Sequence, residues 1–82
     1  MPDFEFTSHA KDMLLERRIS EDWVLRVLNQ ADDKRTGDDG NMHYTKAIQE
    51  RDGLVLHVVV NPNAQPNRII TLFFDRRLMR TK

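Results

Sequence analysis

The stretch from Gly53 to Asp75 constrains the fold more than any other part of the chain. Two apolar runs, Leu54 to Val60 and Arg68 to Phe74, flank Asn61-Pro62-Asn63-Ala64-Gln65-Pro66-Asn67. The runs are rich in β-branched and aromatic residues, which suit a pleated surface. Proline and asparagine between them favour turn geometry and cannot carry a ladder onward. The pattern predicts a long-looped β-hairpin. Folded symmetrically about Ala64, it sets His57 opposite Thr71 and Val59 opposite Ile69. Side chains alternate along a strand, so Leu54, Leu56, Val58 and Val60 share one face with Ile70, Leu72 and Phe74. Val55, His57 and Val59 share the other with Ile69, Thr71 and Phe73. Both faces are apolar, as in strands covered on at least one side. The polar His57–Thr71 pair interrupts the second face and marks it as the place to look for chemistry.

Size limits what else the chain can build. Its 82 residues make a single domain over 1–82, and a domain of this size buries only roughly 60–65% of its unfolded surface. A thin core leaves room for a homodimer or a partner contact. With no cysteine there is no disulfide framework and no thiolate metal site. No apolar run reaches the roughly 18 residues of a membrane span, and Met1-Pro2-Asp3-Phe4-Glu5 lacks the basic start of a signal peptide. A cytoplasmic location without membrane contact is the expectation. Formal net charge is zero but unevenly spread. From Arg68 onward, five basic residues (Arg68, Arg76, Arg77, Arg80, Lys82) stand against Asp75 alone. That excess reads either as a solvated tail or as a phosphate-binding patch formed by Arg68, Arg76, Arg77 and Arg80.

The N-terminal third predicts two short helices. Thr7 and Ser8 are both good caps for the first, and Ala10, Met13 and Leu14 fall in one arc of it, with His9 at the margin. Arg17 falls on the same stripe, where it either snorkels from the last turn or reaches over the sheet into a cleft. Ser20 caps the second helix, with Glu21 and Asp22 in its first turn, where the dipole favours acids. Trp23, Val24, Val27, Leu28 and Ala31 form its apolar face. The polar run Asp32 to Gly40 predicts an edge strand over Asp33–Thr36 and a turn at Gly37–Gly40. Its aspartates lack the spacing of a calcium loop. A strand over Met42–Gln49 follows, with His43, Thr45 and Ala47 on one face, and Asp52-Gly53 signals a tight turn into the hairpin. The expected fold is α+β, with two N-terminal helices packed on a four-stranded antiparallel sheet. Its expected core is Trp23, Val27, Leu28, Leu56, Val58, Ile70 and Leu72.

His9, His43 and His57 are the side-chain type that titrates near neutrality, and arginine offers phosphate a bidentate fork. Three histidines on separate elements lack the paired spacing of a zinc site, so neither metal nor cofactor is expected. The segment Phe6-Thr7-Ser8-His9-Ala10, then Met13, Arg17, Ile19-Ser20 and the strands Gly53–Val60 and Arg68–Thr71, resembles a family of small bacterial proteins that carry a domain of unknown function. That family is similar in turn to BrnT and, more distantly, to RelE-type toxin ribonucleases of the barnase–colicin–RelE fold. The resemblance runs from Phe6 to Phe74. It implies a RelE/BrnT-like domain of a toxin–antitoxin system that binds or cleaves RNA, with an antitoxin protein as partner. His9, Arg17, His57 and Thr71 are its candidate catalytic residues. The chain departs from the family at Met13, where an arginine is usual, and at Phe73 and Phe74, near which a tyrosine is common. Those departures favour the alternative, a non-catalytic interaction module that keeps the fold and has lost the site.

Overall fold

The hairpin forms the middle of a five-stranded sheet. In the computed structural model, which describes residues 4–64 and 66–76, the elements run β1 (Phe4–Phe6), α1 (Ser8–Glu16), α2 (Glu21–Gln30), β2 (Asp33–Thr36), β3 (Met42–Ile48), a 3-10 turn (Gln49–Arg51), β4 (Leu54–Asn61) and β5 (Asn67–Phe74). The strand order is β1-β5-β4-β3-β2. The α+β class and both helices agree with the expectation. The sheet has one strand more than expected and is mixed rather than wholly antiparallel. The extra strand, β1, runs parallel to β5 with Phe4 against Asn67 and Phe6 against Ile69. Three residues are too few to show an alternation, so sequence periodicity does not reveal it.

Local chemistry explains the helix boundaries. Thr7 rather than Ser8 caps α1: its hydroxyl accepts from Ala10 N at 3.2 Å. Thr7 also ties the helix start to β5, its backbone N–H donating to Ile69 O at 3.1 Å and its hydroxyl lying 3.0 Å from the same oxygen. At the other end Arg18 takes a left-handed conformation, φ 54°, and Ile19 N donates back to Leu14 O at 2.9 Å. This is the Schellman arrangement, which seals the last turn and drops Ile19 into the core. Ser20 caps α2 by accepting from Asp22 N at 3.0 Å. Arg26 of α2 forks onto Glu50 at 2.9 and 3.1 Å, clamping the helix to the β3–β4 connection. That connection is longer than a two-residue turn. The 3-10 turn leads through Asp52 (φ 58°) and Gly53 (φ 82°), and Gly53 N closes on Ile48 O at 3.0 Å.

Both helices cover one face of the sheet. Ala10, Leu14, Val24 and Val27 pack there against Ile48, Leu56, Val58, Val60, Ile69 and Leu72, all in one buried cluster. Trp23 and Leu28 are half-buried at its margin rather than inside it. Trp23 meets Phe74 edge-on at 6.2 Å, and the Arg51 guanidinium lies over both rings.

The hairpin register corrects two expectations. The loop closes with Asn61 against Arg68 and Val60 against Ile69, one residue away from symmetry about Ala64. A β-bulge between Val59 and Val60 then leaves Ile70 unpaired, so Val59 faces Thr71 and His57 faces Phe73, not Thr71. Two one-residue offsets add to two, which keeps Thr71 and Phe73 on the face of Val55, His57 and Val59. Between loop and bulge only the first offset applies. There Ile69, fully buried, takes the core position expected of Ile70, which is half-buried.

Candidate functional site

The sheet face away from the helices carries polar residues that the register brings together. From β2 to β5 it presents Arg35, His43 and Thr45, His57, and then Thr71 and Phe73, by strand alternation and pairing. His57 is 8% exposed and its ring stacks on Phe73, 4.9 Å between centroids at 29°. Its Nδ1 lies 3.1 Å from Oδ2 of Asp75, the first residue after β5, which is 3% exposed. A buried carboxylate in contact with one ring nitrogen fixes the orientation of the imidazole. Asp75 is itself held in place by its backbone N–H, which donates to Val55 O at 2.8 Å.

The other nitrogen of His57 meets a second histidine. Nε2 of His57 lies 2.8 Å from Nδ1 of His43, and Nε2 of His43 lies 3.3 Å from Oδ1 of Asp39. Asp39 sits in the β2–β3 turn, where its Oδ1 accepts from Asn41 N at 2.9 Å and its Oδ2 from Asn41 Nδ2 at 3.1 Å. The Asn41 backbone N–H first, and then the His43 ring and the Asn41 amide, hold the Asp39 carboxyl below its ordinary value. Gly37 makes this turn possible. A Cβ there would stand 2.5 Å from His43 Nε2 and 2.9 Å from Asp39 Oδ1, so only glycine lets the turn close over the ring. The result is the continuous chain Asp75–His57–His43–Asp39. Its outer end opens into a cleft lined by Arg35, Thr36, Gly37, Asp38, His43 and His57.

Donor and acceptor roles along this chain depend on the tautomers of the two rings. Each of its three contacts needs one proton between two otherwise lone-pair-bearing atoms. Both nitrogens of His57 are engaged, so His43, whose Nε2 is at the open end, is the ring of the pair placed to exchange a proton in the cleft.

The four residues expected to form the site divide between two contacts and a helix end. His9, exposed in the first turn of α1, places Nε2 3.2 Å from Thr71 Oγ1. The helix end thus reaches the edge of β5, whose upper part β1 leaves uncovered. His57 belongs to the histidine chain. Thr71 stands opposite Val59, next along the face from Phe73, so it is a diagonal neighbour of His57, about 7–8 Å away along the pleat. Arg17 is exposed and directs Nε to Met13 Sδ at 3.4 Å. It covers the side chain that stands where the resembling family carries an arginine. Of the basic patch, Arg68 is exposed with Nε 3.9 Å from Glu5 and Arg76 is exposed beyond Asp75. Arg77 and Arg80 lie outside the described residues.

Sequence reasoning passed over His43, Asp39 and Asp75 as site residues. His43 was within reach of it. Pairing β3 with β4 through their connection sets Thr45 opposite His57 and His43 opposite Val59, a diagonal step from His57. Asp75 and Asp39 gave no signal of their own, since an aspartate beside a strand end or in a turn is ordinary. Among the described residues no group of three or more histidine or acidic side chains is arranged to hold a metal ion. The aspartates of the Asp32–Asp39 run separate: Asp32 accepts from Ala47 N and Lys46, and Asp39 from Asn41. No helix among the described residues is long and apolar enough to cross a membrane.

Residues 6–74 match a family model described as Domain of unknown function (DUF4258). The match takes in His9, Arg17, His43, His57 and Thr71 and stops one residue short of Asp75. No curated protein and no solved structure matches the chain.

Proposed function

For a chain that belongs to the DUF4258 family, we propose a RelE/BrnT-like RNA-cleaving or RNA-binding role of the toxin–antitoxin type, centred on the His43–His57 pair. One observation carries this reading: a histidine pair oriented by a buried aspartate at the floor of a cleft, with Arg35 opposite His43 in the β2–β3 register. In RNA cleavage His43, oriented through His57, takes the 2′-hydroxyl proton at Nε2 and the 2′-oxygen attacks the adjacent phosphorus. His43, protonated in that step, returns the proton to the departing 5′-oxygen, leaving a 2′,3′-cyclic phosphate. Arg35 supplies charge to the phosphorane. His9 with Thr71 extends the same face along β5 and contacts the strand on one side of the scissile bond. The steps require no metal.

The test is cleavage of single-stranded RNA by the full chain in the presence of a chelator. His43→Ala or His57→Ala should lower the rate by about 10²–10⁴-fold, the range of one general acid or base. His9→Ala should lower it less. Expression of the unaltered chain should arrest growth, and the His43→Ala chain should not.

The non-catalytic interaction module stands as a second reading, favoured by Met13 under Arg17 and by a phenylalanine, not a phenol, beneath His57. A folded protein that neither cleaves nor binds RNA and does not slow growth decides for the module.

A further inference from the structure

We propose that the chain pairs with a second copy of itself through the corner between α1 and α2, where an exposed leucine borders a groove whose two ends carry opposite charge. The pairing is independent of the RNA reading, because both helices lie on the sheet face turned away from His43 and His57.

The corner follows from helix spacing. Leu14 and Leu15 are adjacent on α1, and successive helical residues point about 100° apart. Leu14 enters the core at 8% exposed, whereas Leu15 points outward at 81%, the one large apolar side chain left exposed among the described residues. A leucine exposed singly is ordinary, but this one borders a hollow. The Arg18–Ile19 cap folds Ile19 under the end of α1, and Lys11, Leu14, Leu15, Ile19 and Glu21 line a single open groove there. Lys11 stands one turn before Leu15, and Glu21 opens α2 two residues beyond Ile19. The corner thus offers both an apolar knob and an apolar hole.

Charge selects the occupant. Lys11 and Glu21 are both exposed, and neither makes an ion pair among the described residues. A groove with a free cation at one end and a free anion at the other is its own complement. A two-fold axis through its middle sets Lys11 against the partner's Glu21 and Glu21 against the partner's Lys11. The same rotation brings Leu15 onto the apolar wall of the partner's Leu14 and the partner's Ile19. A patch of this extent belongs with interfaces below about 1,200 Å², which fits a dissociation constant between about 1 μM and 1 mM rather than an obligate dimer.

Sedimentation equilibrium of the full chain at low salt, from about 10 μM to about 1 mM, reads the pairing, with circular dichroism to show that each variant is folded. The unaltered chain should associate reversibly within that range. Leu15→Gln keeps a good helix former and should raise the dissociation constant at least about tenfold, since each pair loses two leucines. Lys11→Glu and Glu21→Lys should each weaken association several-fold, because each sets like charges together twice. Mixed in equal amounts, these two variants should associate more tightly than either does alone, since both contacts of the mixed pair are again opposite in sign. A chain that stays monomeric at the top of the range overturns the proposal and leaves the groove to a partner of another sequence. Undiminished association of the Leu15→Gln chain overturns it as well. So does a mixture that associates no more tightly than its components.

Discussion

At Arg18 an arginine stands in the left-handed conformation that a Schellman cap ordinarily gives to glycine. A side chain there is disfavoured by roughly 1–2 kcal/mol. Arg18 is exposed and its backbone, not its guanidinium, makes the cap. Arg18→Gly should therefore gain stability, by up to about 1 kcal/mol after the extra freedom of glycine in the unfolded chain is subtracted. Urea denaturation measures it, and a loss would mean that the arginine side chain contributes more than its strain costs. Asp39 makes a prediction of opposite character, visible only in acid. Its carboxyl is held below the ordinary value of 3.8, first by the Asn41 N–H and then by His43. A depressed value means that the folded state binds the proton less readily than the unfolded one. The contribution to stability is thus full above about pH 4 and is lost as the pH falls through the lower folded value. Asp39→Asn should flatten that part of the pH–stability curve and leave the part above pH 5 governed by other groups. Denaturation midpoints taken between pH 2 and 6 test the sign.

Among the elements, the bulge in β5 separates what a sequence pattern can tell from what it cannot. The alternation of Leu54 to Val60 is readable because the core needs every second residue, and the structure keeps that phase along all of β4. The phase of β5 is not, because a bulge adds one residue with no compositional mark and turns Ile69 inward in place of Ile70. For the same reason His57 lost its expected partner Thr71 while keeping it on the same face. The caps at Ser20 and Thr7 were legible, since capping is a local bond between neighbours in sequence. β1 was not: its three residues are stabilised by a strand more than sixty positions away. The candidate site follows the same rule. His9, named by resemblance, and Thr71, named by the hairpin pattern, do meet, while the Asp75–His57–His43–Asp39 chain exists only through the register of four segments. The bulge also ranks two substitutions. Ile69→Ala should cost about 2–5 kcal/mol, as truncation of a fully buried side chain does, and Ile70→Ala clearly less. Equal losses in chemical denaturation would place the bulge elsewhere.

Over the whole molecule the charges cancel, so any affinity for RNA must come from where the cations stand. Arg68 lies at the start of β5 and Arg76 two residues past its end. At about 3.3 Å per residue of extended strand they are separated by at most roughly 26 Å. Between them along the strand lie Thr71, with His9 beside it, and Phe73, stacked under His57. A single RNA strand laid along β5 would meet a cation at each end and the histidines in the middle. Both arginines are exposed, and Arg68 has only a 3.9 Å contact with Glu5 to give up. Each phosphate they neutralise releases counterions, so Arg68→Ala and Arg76→Ala should each flatten the slope of log affinity against log salt by about 0.7. The double substitution should flatten it by the sum, because sites this far apart act independently. Affinity should fall for every sequence alike, since a phosphate contact positions a strand without reading its bases. His43→Ala, by contrast, should leave the slope nearly unchanged while removing cleavage, which separates holding the strand from cutting it. Binding measured by fluorescence anisotropy at several salt concentrations gives both quantities. If neither arginine changes the slope in a folded protein that still binds RNA, the strand does not run along β5, and the cleft beside Arg35 must be entered from the β2 side instead.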